Sequence, residues 1–267
     1  MKVWFNGIIE DNKTPLIPLD DYALLYGYGL FETLLIDNGR PILWEEHIMR
    51  MVNSAKEFKM ELPFQSDKLL QEAFKLIEIN NIEHGSIRIT LSGSSNIFMT
   101  CKKGIPYNNS LYNTGVLLSA RKEIEVYSSN WLLNHKTCSY MNKLLIKKDQ
   151  GLKGYFDAVL VNEKGNVTEC CVSNIFCVQD SILYTPPITA GILPGIMRDV
   201  VFKLTAGSNM KIKEMDFTFD FLVGCQEVFL TNSLMGIMPV QRIEEHSFEV
   251  PAEITTHLTK KYKAYQL

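Results

Sequence analysis

The residues with the greatest chemical reach are few enough to enumerate. The arginines are Arg40, Arg50, Arg88, Arg121, Arg198 and Arg242, and they are scattered along the chain. Any arginine that meets an anion is one of these. The histidines are His47, His84, His135, His246 and His257, and none stands in the context of a Ser-His-Asp triad. The cysteines are Cys101, Cys138, Cys170, Cys171, Cys177 and Cys225. No pair has C-x-x-C spacing and no histidines cluster beside them, so no metal centre is expected. There is no P-loop, no G-x-G-x-x-G, no H-E-x-x-H and no G-x-S-x-G. One segment does carry a physical signal for an anion. Residues 191–196 read as a loop feeding a helix N-terminus, whose free N–H groups and dipole favour a phosphate.

The elements that must position such groups can be read from periodicity and turn residues. Residues 2–9 look like one strand. Residues 30–37, then Asn38-Gly39, then 40–44 read as a hairpin, because Asn-Gly tolerates positive φ at both turn positions. Residues 44–60 follow as an amphipathic helix, with Ile48, Met51, Val52, Ala55 and Phe58 at helical spacing. A second helix is expected over 66–80 and a strand over 86–92. Residues 101–114 are polar and rich in turn formers, and read as a loop. Strand 115–120, helix 139–152 and strand 156–162 come next, followed by strands 166–170, 174–178 and 181–184. A helix over 195–206, strands over 226–232 and 236–242, and a helix over 251–264 complete the pattern. Pro251 suits the first turn of that last helix. Lys143, Lys147 and Lys148 on the helix at 139–152 read as solvated lysines, and taken alone Lys136 reads the same way. Strands and helices mix without regular βαβ alternation, so the fold class is α+β.

The chain has 267 residues, with 27 Lys+Arg against 30 Asp+Glu and a formal charge of −3. A polyanion-binding protein usually carries a basic footprint, so nucleic acid is not expected as a partner. No stretch approaches the about 20 apolar residues of a membrane span, and the first residues hold no apolar run suited to a signal peptide. The cysteines read as reduced, mostly buried thiols, with Cys170 and Cys171 packing as small soft side chains. A soluble, cytoplasmic protein is the expectation. The length suits one large domain or two modest ones; the polar stretch puts a break between two lobes near 110–125, which divides the chain into 1–118 and 119–267.

Six separated segments then stand out in order. They are Leu25-Tyr26-Gly27-Tyr28-Gly29-Leu30-Phe31-Glu32-Thr33, Glu46-His47-Ile48-Met49-Arg50 and Asn134-His135-Lys136-Thr137. After them come Val167-Thr168-Glu169-Cys170-Cys171-Val172-Ser173-Asn174, Gly191-Ile192-Leu193-Pro194-Gly195-Ile196-Met197-Arg198 and Thr231-Asn232-Ser233-Leu234-Met235-Gly236. Together they resemble the fold-type IV, or class IV, family of pyridoxal-phosphate aminotransferases. The resemblance runs from about residue 3 to residue 243, and is closest to the family's 4-amino-4-deoxychorismate lyases.

That resemblance implies a two-domain fold with pyridoxal 5'-phosphate between the domains, and a catalytic lysine carried by the C-terminal domain. A cofactor of this type needs a lysine to hold its aldehyde as a Schiff base, and by resemblance this is Lys136. Its ring nitrogen needs an acid partner, and Glu169 matches. Its phosphate needs donors, and Arg50, the backbone N–H of Ile196, and Asn232 with Ser233 match. His47 reads as a structural histidine of its helix. Tyr26 and Arg88 are candidates for the substrate pocket. The family is commonly homodimeric, so a homodimer is expected.

Within the family the sequence leans to the lyase, which releases pyruvate and 4-aminobenzoate in folate biosynthesis. Thr33 stands where lyases place a threonine held to assist proton transfer, so Thr33 joins Lys136 as a catalytic candidate. Thr168-Glu169-Cys170-Cys171 and Asn232-Ser233-Leu234-Met235 also resemble the lyase runs. Other features depart. The Arg-Gly run that lyases often carry after strand 86–92 is replaced by Ser92-Gly93-Ser94-Ser95, and Tyr28 stands where an acidic residue is usual. The Arg-x-His element of the D-amino acid enzymes is missing too. Arg88, Lys102 or Lys103 is left to meet a dicarboxylate. An aminotransferase acting on D-amino or branched-chain amino acids is the alternative.

Overall fold

The computed structural model describes residues 1–14, 17–206 and 210–265, and of residues 122–125 the backbone alone. It divides into two compact units, Met1–Pro106 with His135–Tyr140, and Tyr107–Asn134 with Met141–Leu267. Each has its own sheet and its own apolar core.

In the first unit, β1 (Lys2–Phe5), β2 (Ile8–Asp11), α1 (Tyr22–Tyr26), β3 (Gly29–Asp37), β4 (Arg40–Pro41), α2 (Trp44–Glu57), α3 (Ser66–Ile79), β5 (Gly85–Ser92) and β6 (Ile97–Lys103) follow in order. The six strands pair antiparallel in the order β2-β1-β6-β5-β3-β4. The Asn38-Gly39 hairpin forms as expected, with φ of 48° and 71° at the two turn residues. The expected single strand over 2–9 is instead a hairpin. Asn6 and Gly7 take φ of 46° and 100° between Phe5 and Ile8, so the chain makes the same primed turn there. The segment read as a loop over 101–114 is partly regular, since β6 runs to Lys103 and a short helix covers Leu111–Thr114.

Side chains alternate across a strand, and this sorts β3 and β5. Leu30, Leu34 and Ile36 of β3 and Ile87, Ile89 and Leu91 of β5 join Ile48, Met51, Leu69 and Leu76 of the helices in one core. Glu32 therefore faces α2. Phe31 and Thr33 face the other way, as do Ser86, Arg88 and Thr90 of β5, by the register Thr33↔Arg88 and Phe31↔Thr90.

In the second unit, α4 (Leu111–Thr114), β7 (Val116–Val126), α5 (Met141–Leu152), β8 (Asp157–Asn162), β9 (Val167–Cys170), β10 (Asn174–Gln179), β11 (Ile182–Thr185), α6 (Ile196–Ala206), β12 (Lys211–Glu214), α7 (Phe219–Val223), β13 (Glu227–Asn232), β14 (Gly236–Ile243), β15 (His246–Ser247) and α8 (Glu253–Tyr265) follow in order. Nine strands form one sheet, ordered β12-β11-β10-β13-β14-β7-β8-β9, with β15 paired to β14. Parallel pairs (β14 with β7, β7 with β8, β11 with β12) mix with antiparallel ones, the α+β arrangement. Cys170 and Cys171 enter two different apolar clusters, so the adjacent thiols do point apart.

The expected division at 118/119 falls inside β7, and residues 135–140 belong with the first unit rather than with the chain on either side of them. The reason is local pairing. Phe31 donates its N–H to the Lys136 carbonyl at 2.9 Å, Cys138 donates to the Gly29 carbonyl at 2.8 Å, and Leu30 bridges Thr137 antiparallel.

Candidate active site

In the first unit, the segment that carries Lys136 lies along the start of β3. Thr137 pairs with Leu30, so Lys136 and Cys138 turn to the face of Phe31, Thr33 and Arg88. The contacts agree. Lys136 Nζ stands 4.5 Å from the centre of the Phe31 ring and 5.5 Å from that of Tyr140. The Arg88 guanidinium lies over the same Phe31 ring at 3.6 Å and bonds Cys138. Phe31 is thus a cationic platform that gathers Lys136 and Arg88, with Thr33 directly across from Arg88. Burial raises the Cys138 thiol against the lowering effect of Arg88, so it stays protonated.

The other face of β3 carries an ion cluster. Glu32 accepts from Arg50 Nε at 2.8 Å and Nη2 at 2.7 Å, and from His47 Nδ1 at 2.6 Å. His47 and Arg50 sit three residues apart on α2, which puts them on one face of that helix. Burial pushes Glu32 up, but Arg50 and His47 outweigh it and hold its carboxyl at about 2. Burial pushes His47 down, against the pull of Glu32, with Arg50 and Lys136 adding to the lowering. His47 Nε2 is buried without a hydrogen-bond partner among the described residues, so the histidine is satisfied on one side only.

His135, next to Lys136, is fixed to the end of α2. Its Nδ1 pairs with Ser54 Oγ at 2.9 Å, its Nε2 lies 3.5 Å from Glu57, and its ring packs on Phe58 at 4.6 Å. Tyr28 donates its hydroxyl to the Phe58 carbonyl at 3.0 Å, and its ring lies where a Cβ on Gly93 would stand. The two departures noted at Tyr28 and Ser92-Gly93 therefore accompany one another. Tyr26 is 72% exposed and packs edge-on against Tyr22, so it is not a core residue. Lys102 pairs with Ser86 and shares the Arg88 face, whereas Lys103 takes the opposite one.

In the second unit, Glu169 on β9 is buried at 3% exposure rather than facing water. Its Oε1 pairs with Lys143 Nζ at 2.5 Å. Its Oε2 accepts from Asn174 Nδ2 and from the Leu193 N–H, each at 3.2 Å. Lys143 is thus not a solvated lysine. Lys147, one turn further along α5, donates to the Phe156 carbonyl at 2.7 Å and lies 3.6 Å from buried Asp157. Both expectations of solvation are corrected for one reason: α5 covers two buried carboxylates that need cations.

Asn174 also donates to the Leu193 carbonyl at 3.0 Å, so it ties β10 to the loop before α6. A Cβ on Gly195 would fall 1.9 Å from Asn174 Oδ1, and only glycine admits this approach. Ile196 and Met197 open α6 while buried. The first N–H groups of a helix have no partner within it, and here the side chains around them leave little access to water. Thr231 Oγ1 is buried without a partner among the described residues, on the strand position facing Asn174. N–H groups that a helix cannot partner itself, with a buried hydroxyl on the strand beside Asn174, fit a phosphate group. The Asn232 amide is committed elsewhere. Its Oδ1 accepts from the Leu234 and Met235 N–H groups at 3.0 and 2.9 Å, and its Nδ2 donates to Tyr107 Oη and the Val172 carbonyl. It builds the turn that presents Ser233.

Glu32, Asn174 and Lys143 were missed as members of these clusters. Glu32 had a signal, since strand alternation sets it opposite Thr33 and towards a helix bearing His47 and Arg50. Asn174 stood inside a quoted motif. Lys143 had no signal beyond its i,i+4 spacing with Lys147.

A model of the class IV amino-transferase family matches residues 29–243, and the chain belongs to that family. Enzymes of this family depend on pyridoxal 5'-phosphate. The provisionally named branched-chain-amino-acid aminotransferase of Methanocaldococcus jannaschii is 29% identical, over 98% of this chain and 96% of that one. The aminodeoxychorismate lyase of Bacillus subtilis is 26% identical, over 98% and 93%. Among solved structures, the provisionally named 4-amino-4-deoxychorismate lyase of Legionella pneumophila superposes with a TM-score of 0.88 at 28% identity, covering 96% of this chain and 97% of that one. The chain is therefore similar to both a transaminase and lyases along nearly its whole length.

Proposed function

We propose that this enzyme is a 4-amino-4-deoxychorismate lyase of folate biosynthesis, releasing pyruvate and 4-aminobenzoate. One observation carries the reading: Thr33 faces Arg88 across β3 and β5, on the face where Phe31 gathers Arg88 and Lys136. The similarity to two lyases supports it.

When bound, pyridoxal 5'-phosphate supplies an aldehyde that takes up the substrate amine and a ring that withdraws electrons from the reacting carbon. The chain's residues do the rest. Lys136 Nζ would hold the cofactor and is the group that would take the proton from the substrate carbon. Thr33 Oγ1 relays a proton during loss of pyruvate. Arg88 receives a substrate carboxylate, with Lys102 on the same face as a second cation and Tyr26 at the pocket edge. Glu169 would accept from the ring nitrogen. Arg50, held by Glu32, would be a donor to the phosphate, and so would the Ile196 N–H and the Ser233 hydroxyl on the turn that Asn232 builds. We place the enzyme in the cytoplasm, which suits its free thiols, and take a homodimer as its working state.

One observation favours a class IV aminotransferase for D-amino or branched-chain amino acids instead. Arg88 is the one arginine on the Thr33 face of β3 and β5, whereas the lyase substrate brings two carboxylates. Purified enzyme should be given aminodeoxychorismate, and separately amino acids with 2-oxoglutarate. Pyruvate with 4-aminobenzoate is expected. Glutamate without pyruvate would establish the transaminase. Thr33→Val should depress pyruvate release more than half-transamination with an amino acid, and equal losses would remove Thr33 from the elimination step.

A further inference from the structure

We propose that Lys143 is the counter-ion of Glu169 and weakens the hold this carboxylate has on the cofactor's ring nitrogen. The proposal rests on the reading of Glu169 as the ring partner. Lys143 stands in the first turn of α5, and its Nζ lies 2.5 Å from Glu169 Oε1, the two side chains being 16% and 4% exposed. The second oxygen already accepts two N–H donors, from Asn174 and Leu193.

A carboxylate offers about four lone-pair sites. A ring N–H can still find one here, but it meets an anion whose charge is largely balanced. A neighbouring cation disfavours a second positive charge beside the same carboxylate. The ring nitrogen therefore either shares Glu169 with Lys143 or displaces it, and both weaken binding relative to an unshared carboxylate. Lys143 has a compensating effect on folding. Glu169 is buried, and a buried charge without a partner is costly. Lys143 supplies the partner before any cofactor arrives. Lys147 lies one turn on and serves Asp157 in the same manner, so α5 sets down cations in a row. Of the two carboxylates, Glu169 is the one read as meeting the cofactor.

The test is equilibrium titration of the full-length protein with pyridoxal 5'-phosphate, followed by tryptophan fluorescence. Lys143→Met should bind about tenfold more tightly than wild type, and Lys143→Arg should bind like wild type. Glu169→Gln should bind more weakly, and Lys143→Met should add nothing in that background. In thermal melts without cofactor, Lys143→Met should melt below wild type, and the cofactor should raise its Tm by more. If Lys143→Met melts too low to titrate, Lys143→Gln carries the same expectation. Equal or weaker binding by these variants, with Glu169→Gln weakened, overturns the proposal and leaves the reading of Glu169 standing. Unchanged binding by Glu169→Gln overturns that reading, and the proposal with it.

Discussion

Glu32 shows how a residue outside the catalytic face can govern the site. It holds both Nε and Nη2 of Arg50 and the inner nitrogen of His47, and so sets the arginine's rotamer. Its carboxyl is held at about 2 against an ordinary 4.5. A depressed carboxyl stabilises the fold fully above its ordinary value, and the contribution is lost as pH falls through about 2. Glu32→Gln should cost about 3 kcal/mol near neutral pH, the scale for breaking a buried ion pair. The wild-type and variant urea midpoints should converge as pH falls from 4.5 towards 2. A gap that stays constant over that window would show that the charge on Glu32 does not stabilise the protein. The sequence brought Arg50 to notice through its resemblance to a phosphate ligand, and read His47 as structural. It did not reveal that both attach to Glu32, because an ion cluster depends on which strand lies beneath a helix, and one chain's periodicity does not state that.

At the scale of elements, much was legible where local chemistry decides the backbone. The amphipathic stripe of α2 and the Asn38-Gly39 turn follow from spacing and from φ. The missed Asn6-Gly7 turn used the same rule: four residues on each side are short for a hairpin, and the run read as continuous. Contacts between distant segments were not legible, which is why Asn174 and Gly195 escaped notice as a pair. Gly195→Ala would set a Cβ 1.9 Å from Asn174 Oδ1. The clash should cost about 1–3 kcal/mol and should weaken binding of pyridoxal 5'-phosphate, since Asn174 fixes both Glu169 and Leu193. Gly151 on α5 is the control, because a Cβ there meets nothing within 4 Å. Gly151→Ala should raise stability by up to about 1 kcal/mol, as helix propensity dictates, with cofactor affinity unchanged. If both variants behave alike in melts and in titration, the contact at Asn174 has no special role.

For the whole molecule, two features stand out. The first is a set of exposed apolar side chains on residues 19–26 of the first unit, including Leu19 at 85%, Leu24 at 60% and Leu25 at 51%. Runs of this kind usually mark a surface that another chain covers. Sedimentation should therefore give twice the 30.5 kDa chain mass, and Leu24→Asp with Leu25→Asp should shift the protein towards a single chain. A double variant that sediments like wild type would move the contact elsewhere. The second feature is the return of residues 135–140 to the first unit after the chain has begun the second. It has a consequence for inheritance. A crossover between two related genes near residue 106 would exchange β3 and β5 yet keep the old lysine segment. The backbone pairs of Phe31 with Lys136 and of Cys138 with Gly29 would survive such an exchange, since they need no particular side chain. Lys136 over Phe31, and the bond of Arg88 to Cys138, would not be assured. Recombinants should therefore fold more readily than they work, and substrate preference in such a lineage would tend to pass on as a block that spans the crossover.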